Sequence, residues 1–369
     1  MPANDHPRPS PPPLVPSMTD EYSRISETAR AVDLFAVPAT RSYLDSAKEA
    51  IAGMPPGTPF VIADYGAADG VNSSHLVETI VRHLRELNPS VAVRLVYVDV
   101  ADPAPFERFW AGSPLAAMDG ITAEYIQRSF YEPFPELAGC VHLGISSTAL
   151  HWLDTRAVEP GLFRNPGCIQ ANQLSVFGSE RFAKKWKGDF RAFLVERSHE
   201  LVGGGLLFMA NLACLGSGRW PASAGYDTLR DVIHALYREG RISKGELEAV
   251  FIPDYFATPD EMRDVLDEDA VRRDFSLLFF DAVTVPCAYY SRMHETLEDA
   301  GERRQLAETL AGVVRAGSES SIRAGMSGRD DDIVDEIYRR LADRFFETPR
   351  GLPYQYCLVE LVRKVDPPA

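Results

Sequence analysis

Residues 60–73 read FVIADYGAADGVNS, and this stretch decides the fold. Its first six residues form an apolar run of strand length that leads into a turn containing Gly66 and Gly70. Leucine and isoleucine then recur at helical spacing, with Asn72 or Ser73 placed to cap the helix. The stretch predicts a strand–turn–helix unit. Its turn lies at the carboxyl end of the strand, where open α/β sheets bind ligands.

Similar units follow along the chain. Residues 174–202 predict a helix that ends in Gly203-Gly204-Gly205, because glycine commonly terminates helices. Short apolar runs predict further strands at residues 91–98, 141–146, 206–210, 275–283 and 354–363. Strands that alternate with helices indicate an α/β fold with a mainly parallel sheet, covered on both faces.

The remaining segments predict helix or disorder. Residues 1–17 carry seven prolines and predict a disordered tail. From Thr19 to about Ala52 the pattern is helical, with an interruption at Pro38. Helical patterns over residues 222–273 and 291–347 predict a cap inserted into one domain that spans residues 18–369.

Composition excludes several classes of protein. The 369 residues include 53 acidic and 38 basic side chains, a formal charge of −15, which disfavours a nucleic-acid partner. No apolar run reaches the ~20 residues that span a bilayer, and no secretory pattern begins the chain, so we expect a cytoplasmic protein without a membrane partner. The five cysteines form no CxxC pair, which argues against a thiolate zinc site.

The turn after the first strand favours one cofactor over another. A dinucleotide site needs G-x-G-x-x-G, whereas this turn has only Gly66 and Gly70 and adds the carboxylates of Asp64 and Asp69. Carboxylates repel a pyrophosphate but suit an ammonium group and a neighbouring sulfonium. The turn therefore favours S-adenosylmethionine over a dinucleotide, although a strand–turn–helix junction without a ligand is the alternative.

Two downstream positions extend this prediction. Asp99 and Val100 end the second strand, where a carboxylate can accept hydrogen bonds from both ribose hydroxyls. Ser129 and Phe130 lie in a loop, where the ring could stack on adenine. An exposed loop aspartate and a core phenylalanine are the competing interpretations.

Taken in order, these segments resemble the SABATH family of methyltransferases, which form methyl esters of small acids or N-methylate caffeine precursors. The resemblance runs from about Tyr22 to Lys364 and includes FVIADYGAADGVNS, VYVDV and RSFYEPFP. It continues through GISSTALHWL at residues 144–153 and IPDYFATPDEM from Ile252. It implies a Rossmann-like class I methyltransferase fold with a helical substrate-binding cap, and a homodimer.

The resemblance also implies residue roles. Tyr22 and Ser23 match a segment that closes over the cofactor. Trp152 matches the tryptophan whose indole N–H donates to the substrate carboxylate, and His151 lies beside it, so both are assigned to catalysis and substrate binding. A core tryptophan and a neutral core histidine are the alternatives. The predicted cofactor contacts are Tyr22, Ser23, Asp64, Gly66, Asp69, Asn72, Asp99, Val100, Ser129 and Phe130. Further substrate contacts are Tyr226, Tyr255 and Tyr354.

Departures from the family leave the substrate open. Ala29 stands where the family has a glutamine that also holds the carboxylate, and Arg30 or His151 could substitute for it. The segment associated with a metal in some members reads Val250-Phe251-Ile252-Pro253, so no metal is expected.

The predicted activity is S-adenosylmethionine-dependent methylation of the carboxylate of a small organic acid. Such an acid is ionised at neutral pH and needs no general base. One alternative is an N- or phenol O-methyltransferase, in which His151 would act as the base. The other is a non-catalytic binding protein that keeps the fold.

Overall fold

The computed structural model describes residues 31–365 except positions 157, 160, 165–166, 175, 217–219, 296–297, 327–328 and 330. Its described strands form one seven-stranded sheet with the order β3-β2-β1-β4-β5-β7-β6. The strands are β1 Pro59–Tyr65, β2 Ala92–Asp99, β3 Ile121–Gln127, β4 Val141–Ser147, β5 Leu201–Leu212, β6 Phe275–Val285 and β7 Tyr354–Arg363.

The sheet is mainly parallel, as the sequence predicts. Strand β1 pairs in parallel with β2 and with β4, and β2–β3 and β4–β5 are also parallel. Strand β7 lies between β5 and β6 and runs antiparallel to both. The strand order reverses between β1 and β4, which places a topological switch point at their carboxyl ends.

Helices cover both faces of the sheet. One apolar core joins the sheet to α1, α3, α4, α6, α7, α11 and α12, and the other joins it to α5, α8 and α9. The helices are α1 Asp33–Ser46, α2 Lys48–Ala52, α3 Ser74–Leu87, α4 Pro103–Gly112, α5 Val176–Glu200, α6 Ser223–Arg238, α7 Lys244–Ala249, α8 Pro259–Leu266, α9 Asp269–Arg272, α10 Ala288–Glu295, α11 Ala300–Gly325 and α12 Asp331–Glu347.

Strand β5 shows why two cores form. Leu206 and Phe208 face one core while Leu207 and Met209 face the other, because successive side chains of a strand point to opposite faces. All four are buried. The continuous apolar run of β5 therefore reflects a strand covered by helices on both sides.

Several local predictions were wrong. Helix α1 continues through Pro38 instead of breaking there. The helix before the glycine triplet ends at Glu200, and residues 203–205 lie within β5 beside an irregularity in its pairing with β4. Ser73 precedes α3 but makes no capping hydrogen bond with its side chain. Strand β3 was not predicted, because this edge strand has mostly half-exposed positions and lacks a clear apolar pattern.

The predicted tail at residues 1–17, as well as Tyr22, Ser23 and Ala29, lies outside the described residues. The segments assigned to a cap contain α6–α9 and, from residue 291, the end of α10 together with α11 and α12. No helix in the described part of the chain has the length and apolar character to cross a membrane.

Candidate active site

A cleft opens at the carboxyl ends of β1 and β4, where the strand order reverses. Its lining includes Asp64 and Gly66 from the end of β1, and Ser147 and Thr148 from the end of β4. The first turn of α1 adds Asp33, a residue that no sequence motif singles out. This position is where ligands bind in open α/β sheets.

The turn after β1 needs glycine for steric reasons. Gly66 has a φ of +88°, and a Cβ atom there would lie 2.3 Å from the Cβ atom of Ala149. The N–H groups of Gly66 and Ala67 both donate to the carbonyl oxygen of Val98, at 2.8 and 3.2 Å. The turn is therefore tied to the end of β2 and presses closely on the segment after β4.

Asp99 holds the same turn from β2. Its Oδ2 accepts the N–H of Ala68 at 2.8 Å, and its Oδ1 accepts the N–H of Ala101 at 3.0 Å. Burial raises the pKa of the Asp99 carboxyl, although hydrogen bonds from Ala68, Ala101 and Val100 lower it. The structure thus places Asp99 and Val100 beside the cleft-forming turn, where lone pairs left on the carboxylate can accept further hydrogen bonds.

Two buried acceptors line the cleft. Burial raises the pKa of Asp64 to about 6, with a hydrogen bond from Ser73 lowering it and the charge of Asp99 raising it further. The Oδ1 atom of Asn72 is buried and has no hydrogen-bond partner among the residues described. A cationic ligand with N–H donors would satisfy both groups. Asp69 has another task, since its Oδ1 accepts the N–H of Val71 at 3.1 Å within the turn.

The loop after β3 approaches the turn from the other side. An atom of the Phe130 ring lies 3.4 Å from the point that a Cβ at Gly66 would occupy. Ser129 is buried, and its Oγ accepts the N–H of Tyr131 at 3.3 Å. The structure therefore brings Phe130 to the glycine turn, with Ser129 next to it in the chain. Contact of either residue with adenine stays a prediction.

A buried arginine fixes this loop. Arg197 of α5 donates to the carbonyl oxygens of Phe130 and Glu132, and to Oε1 of Glu200 at 2.6 Å. Its guanidinium also stacks on the ring of Tyr65, 4.5 Å from the centroid. No sequence pattern singles out Arg197, because the carbonyl groups to which it donates are distant along the chain.

An aromatic cluster lies beyond the end of β4. It consists of His151, Trp152, Trp220, Tyr226, Phe256 and Tyr354. Phe256 stacks on Trp220 with ring centroids 3.8 Å apart, and on His151 at 5.4 Å. Trp220 contacts Tyr226 and Tyr354 at 5.7 and 5.6 Å, and His151 contacts Trp152 at 5.3 Å. Four predicted substrate residues thus meet through Trp220 and Phe256, which sequence reasoning missed.

Polar atoms in this cluster lack partners. Nε1 of Trp152, Nε1 of Trp220 and Nδ1 of His151 are buried without a hydrogen bond to any described residue. Burial also lowers the pKa of His151 to about 3, so the imidazole is neutral at physiological pH. The two indoles can only donate, so the cluster presents buried donors that an acceptor would satisfy.

Tyr255 does not join the cluster. Its hydroxyl donates to Oε1 of Glu261 at 2.9 Å, and its ring packs near Trp186 in the opposite core. The neighbouring Phe256 faces the cluster instead. Alternation along residues 252–256 explains the difference, because adjacent side chains of an extended segment point to opposite sides.

The described residues contain no group of three His, Cys, Asp or Glu side chains that could hold a metal ion. All five cysteines are free thiols, four of them buried.

Comparisons with known proteins show which family the chain resembles. A family model described as SAM dependent carboxyl methyltransferase matches residues 116–362. A probable S-adenosylmethionine-dependent methyltransferase of Arabidopsis thaliana is 24% identical over 323 residues, 82% of each chain. A 3,7-dimethylxanthine N-methyltransferase of Camellia sinensis var. assamica is 27% identical over 295 residues, 75% of each chain.

The fold also matches a solved structure. A loganic acid methyltransferase with S-adenosylhomocysteine superposes with a TM-score of 0.71 at 21% identity, over 94% of this chain and 97% of that one. This match confirms the α/β fold predicted from the sequence. The family model identifies S-adenosylmethionine as the methyl donor of this protein. The chain belongs to the SABATH family of S-adenosylmethionine-dependent methyltransferases, the family described as carboxyl methyltransferases.

Proposed function

We propose that this enzyme transfers a methyl group to the carboxylate of a small organic acid and releases the methyl ester. The observation that carries the proposal is the buried, unpartnered Nε1–H of Trp152, next to the equally unpartnered Nδ1 of His151. An anionic acceptor would satisfy a buried indole N–H, which otherwise loses a hydrogen bond on folding.

The residues of the cleft fit the methyl donor. Asp64 and Asn72 offer buried acceptors for its ammonium group, Asp99 for its ribose, and Phe130 a ring for its adenine. S-adenosylmethionine, when bound, supplies an electrophilic methyl group on a positively charged sulfur. Glycine at position 66 leaves room that any side chain would fill.

The chain's own contribution to catalysis is positional and electrostatic. A carboxylic acid with a pKa near ~4 is already ionised at neutral pH and attacks without a general base. Trp152 would hold the carboxylate in place, and such positioning can contribute ~7–11 kcal/mol to lowering the barrier. The rings of Trp220 and Phe256 exclude water, which favours a reaction that neutralises an anion and a cation.

The electrostatics of His151 favour this acceptor over an amine or phenol. Those acceptors must lose a proton, and a general base works best with a pKa near the operating pH. Burial holds the pKa of His151 at about 3, far below that range. The relative from Camellia sinensis var. assamica is an N-methyltransferase by name, so N-methylation is an explicit outcome of the test.

The test is a substrate panel. Aromatic, indolic and isoprenoid acids are each incubated with the enzyme and methyl-labelled S-adenosylmethionine, beside the matching amides, phenols and xanthines. We expect label in an alkali-labile methyl ester from at least one acid. Label that appears only in N-methyl or phenol O-methyl products would refute the proposal.

The quaternary structure and location belong to the same proposal. We expect a homodimer in the cytoplasm, built from single domains with a helical cap over residues 222–273 and 291–347. Light scattering coupled to gel filtration tests the dimer. A mass equal to one chain of 40.9 kDa would contradict it.

A further inference from the structure

Asp254 lies directly opposite Trp152. The two residues form an isolated antiparallel bridge between the segment after β4 and the segment before α8. Residues opposite each other in an antiparallel bridge carry their Cβ atoms on the same side, about 4.5–5.5 Å apart. Alternation from Phe256, whose ring lies in the aromatic cluster, places Asp254 on that same side.

The Asp254 carboxyl is buried and only half satisfied. The residue is 3% exposed, and its Oδ2 accepts a hydrogen bond from Nε2 of Gln170 at 2.7 Å. Its Oδ1 is buried without a partner among the described residues. Three unpartnered polar atoms therefore occur on Trp152, Asp254 and the adjacent His151.

No cationic side chain of the described residues compensates this carboxyl. The groups that act on its titration are the Gln170 amide and its own backbone, with no charged side chain of the described residues among them. The neighbouring titratable side chain, His151, is neutral because burial lowers its pKa to about 3. Burial raises the pKa of Asp254 well above its usual range, which favours the protonated, neutral carboxyl. A neutral carboxyl has an O–H to donate.

We propose that Asp254 is a substrate-binding residue, which forms with Trp152 the pair of hydrogen-bond donors that holds the carboxylate of the acid. The proposal rests on the carboxyl methylation proposed above and names a second residue that binds the substrate carboxylate. A carboxylate has about four lone-pair sites, so two donors leave lone pairs for attack on the methyl group. An ionised Asp254 beside an anionic substrate would instead repel it in a buried site.

Two variants separate the donor role from a charged role. Asp254→Asn keeps the shape, offers N–H donors to the substrate and leaves an oxygen to accept from Gln170. Asp254→Leu keeps a similar volume but has no donor. Asp189→Asn is the matched control, because Asp189 is a buried carboxyl of α5 that bonds Lys185 at 2.6 Å, outside the aromatic cluster.

The readout is KM for the acid found in the substrate panel, measured beside the affinity for S-adenosylhomocysteine. We expect KM to rise about 10- to 100-fold in Asp254→Leu, as for loss of a hydrogen bond to a charged group, and to stay within about threefold in Asp254→Asn. S-adenosylhomocysteine affinity should stay unchanged in both variants and in Asp189→Asn. Equal damage in the two Asp254 variants, or none in either, would overturn the proposal.

The pH profile gives a second readout that also serves if Asp254→Leu does not fold. In the wild type, kcat/KM for the acid should fall at alkaline pH as Asp254 loses its proton, whereas Asp254→Asn should lack this limb. An identical alkaline limb in both proteins would exclude the donor role. If the wild type esterifies none of the acids, the proposed function fails and this inference falls with it. If the wild type forms a methyl ester and the Asp254 variants are unaffected, only the inference about Asp254 is refuted.

Discussion

The cleft at the switch point and the aromatic cluster beyond β4 are built in opposite ways. The cleft takes half of its lining residues from one strand–turn–helix unit, whose backbone N–H groups donate to Val98 and Asp99. The cluster combines residues from distant parts of the chain, from His151 to Tyr354, and ring packing holds it. A local backbone motif builds the first region, and only the tertiary fold builds the second.

The two regions also carry opposite polarity. Among the described residues, the cleft has one buried acceptor without a partner, Oδ1 of Asn72, and the cluster has two buried donors without a partner, the indole N–H groups of Trp152 and Trp220. A cationic methyl donor suits the first region and an anionic acceptor suits the second. The contrast implies that substitutions in the cleft should change donor affinity, whereas those in the cluster should change the kinetics of the acceptor.

The largest expected effect is at Gly66. Gly66→Ala should reduce S-adenosylmethionine affinity by more than about 100-fold, because its Cβ would lie 2.3 Å from the Cβ of Ala149. Gly57→Ala is the control: Gly57 has a similar φ of +85°, but nothing within 4 Å of the added Cβ. The control should cost about 1 kcal/mol of unfolding free energy and leave affinity intact. If calorimetry shows that the affinity for S-adenosylmethionine falls equally in the two variants, the loss comes from backbone strain and not from the space that the added Cβ fills.

Removing the indole donor should come next. Trp152→Phe should lower kcat/KM for the acid about 10- to 100-fold, because the carboxylate loses a buried hydrogen bond while the packing is largely kept. Its affinity for S-adenosylmethionine should stay within about twofold. Trp110→Phe, on the half-buried side of α4, is the control and should change neither constant. Unchanged esterification in Trp152→Phe would refute the role of Trp152 in binding the substrate carboxylate.

A smaller loss is expected at Asp99. Asp99→Ala should weaken S-adenosylmethionine binding about 10- to 30-fold, since the ribose and the turn both lose an acceptor. Asp102→Ala is a nearby control. It removes the N-cap of α4, because Oδ1 of Asp102 accepts the N–H of Ala104 at 2.8 Å. That control should cost ~1 kcal/mol of stability without changing affinity. Equal affinities in the two variants by calorimetry would refute the ribose assignment.

The smallest effect is a pH dependence of donor binding. Because the Asp64 pKa lies at about 6, the carboxylate that attracts the cation is lost as the pH falls through that value. Affinity for S-adenosylmethionine should drop about tenfold between pH 7 and pH 5. Asp64→Asn should bind more weakly throughout and lose most of this dependence. Asp189→Asn should keep the full dependence, because Asp189 also has a pKa of about 6 but lies outside the cleft.

The same contrast explains what the sequence could predict. Residues 64–72 lie within one local motif, in which a strand leads into two glycines and two carboxylates. This pattern alone predicts the cleft. Asp33 and Arg197 reach that region only through packing of α1 and α5, and neither stands out from its helical pattern. The residues that hold the loop of Phe130 were therefore missed.

In the aromatic cluster, individual residues were predicted but their arrangement was not. Trp152, His151, Tyr226 and Tyr354 were named from the family resemblance, and Trp220 and Phe256 connect them. Whether Tyr255 or Phe256 faces the cluster depends on which side of this extended segment the alternate side chains point to. The bridge between Asp254 and Trp152 sets that orientation. A one-residue change of phase exchanges the two faces, and the motif alone does not set it.

A crystal structure with S-adenosylhomocysteine and the preferred acid tests the central claim most directly, because it shows whether the two regions form one site. We expect the nucleoside between Asp99 and Phe130, and the acid's carboxylate within hydrogen-bonding distance of Trp152 Nε1, facing the sulfur. A nucleoside bound away from Asp64 and Asp99, or a carboxylate with no contact to Trp152, would contradict it.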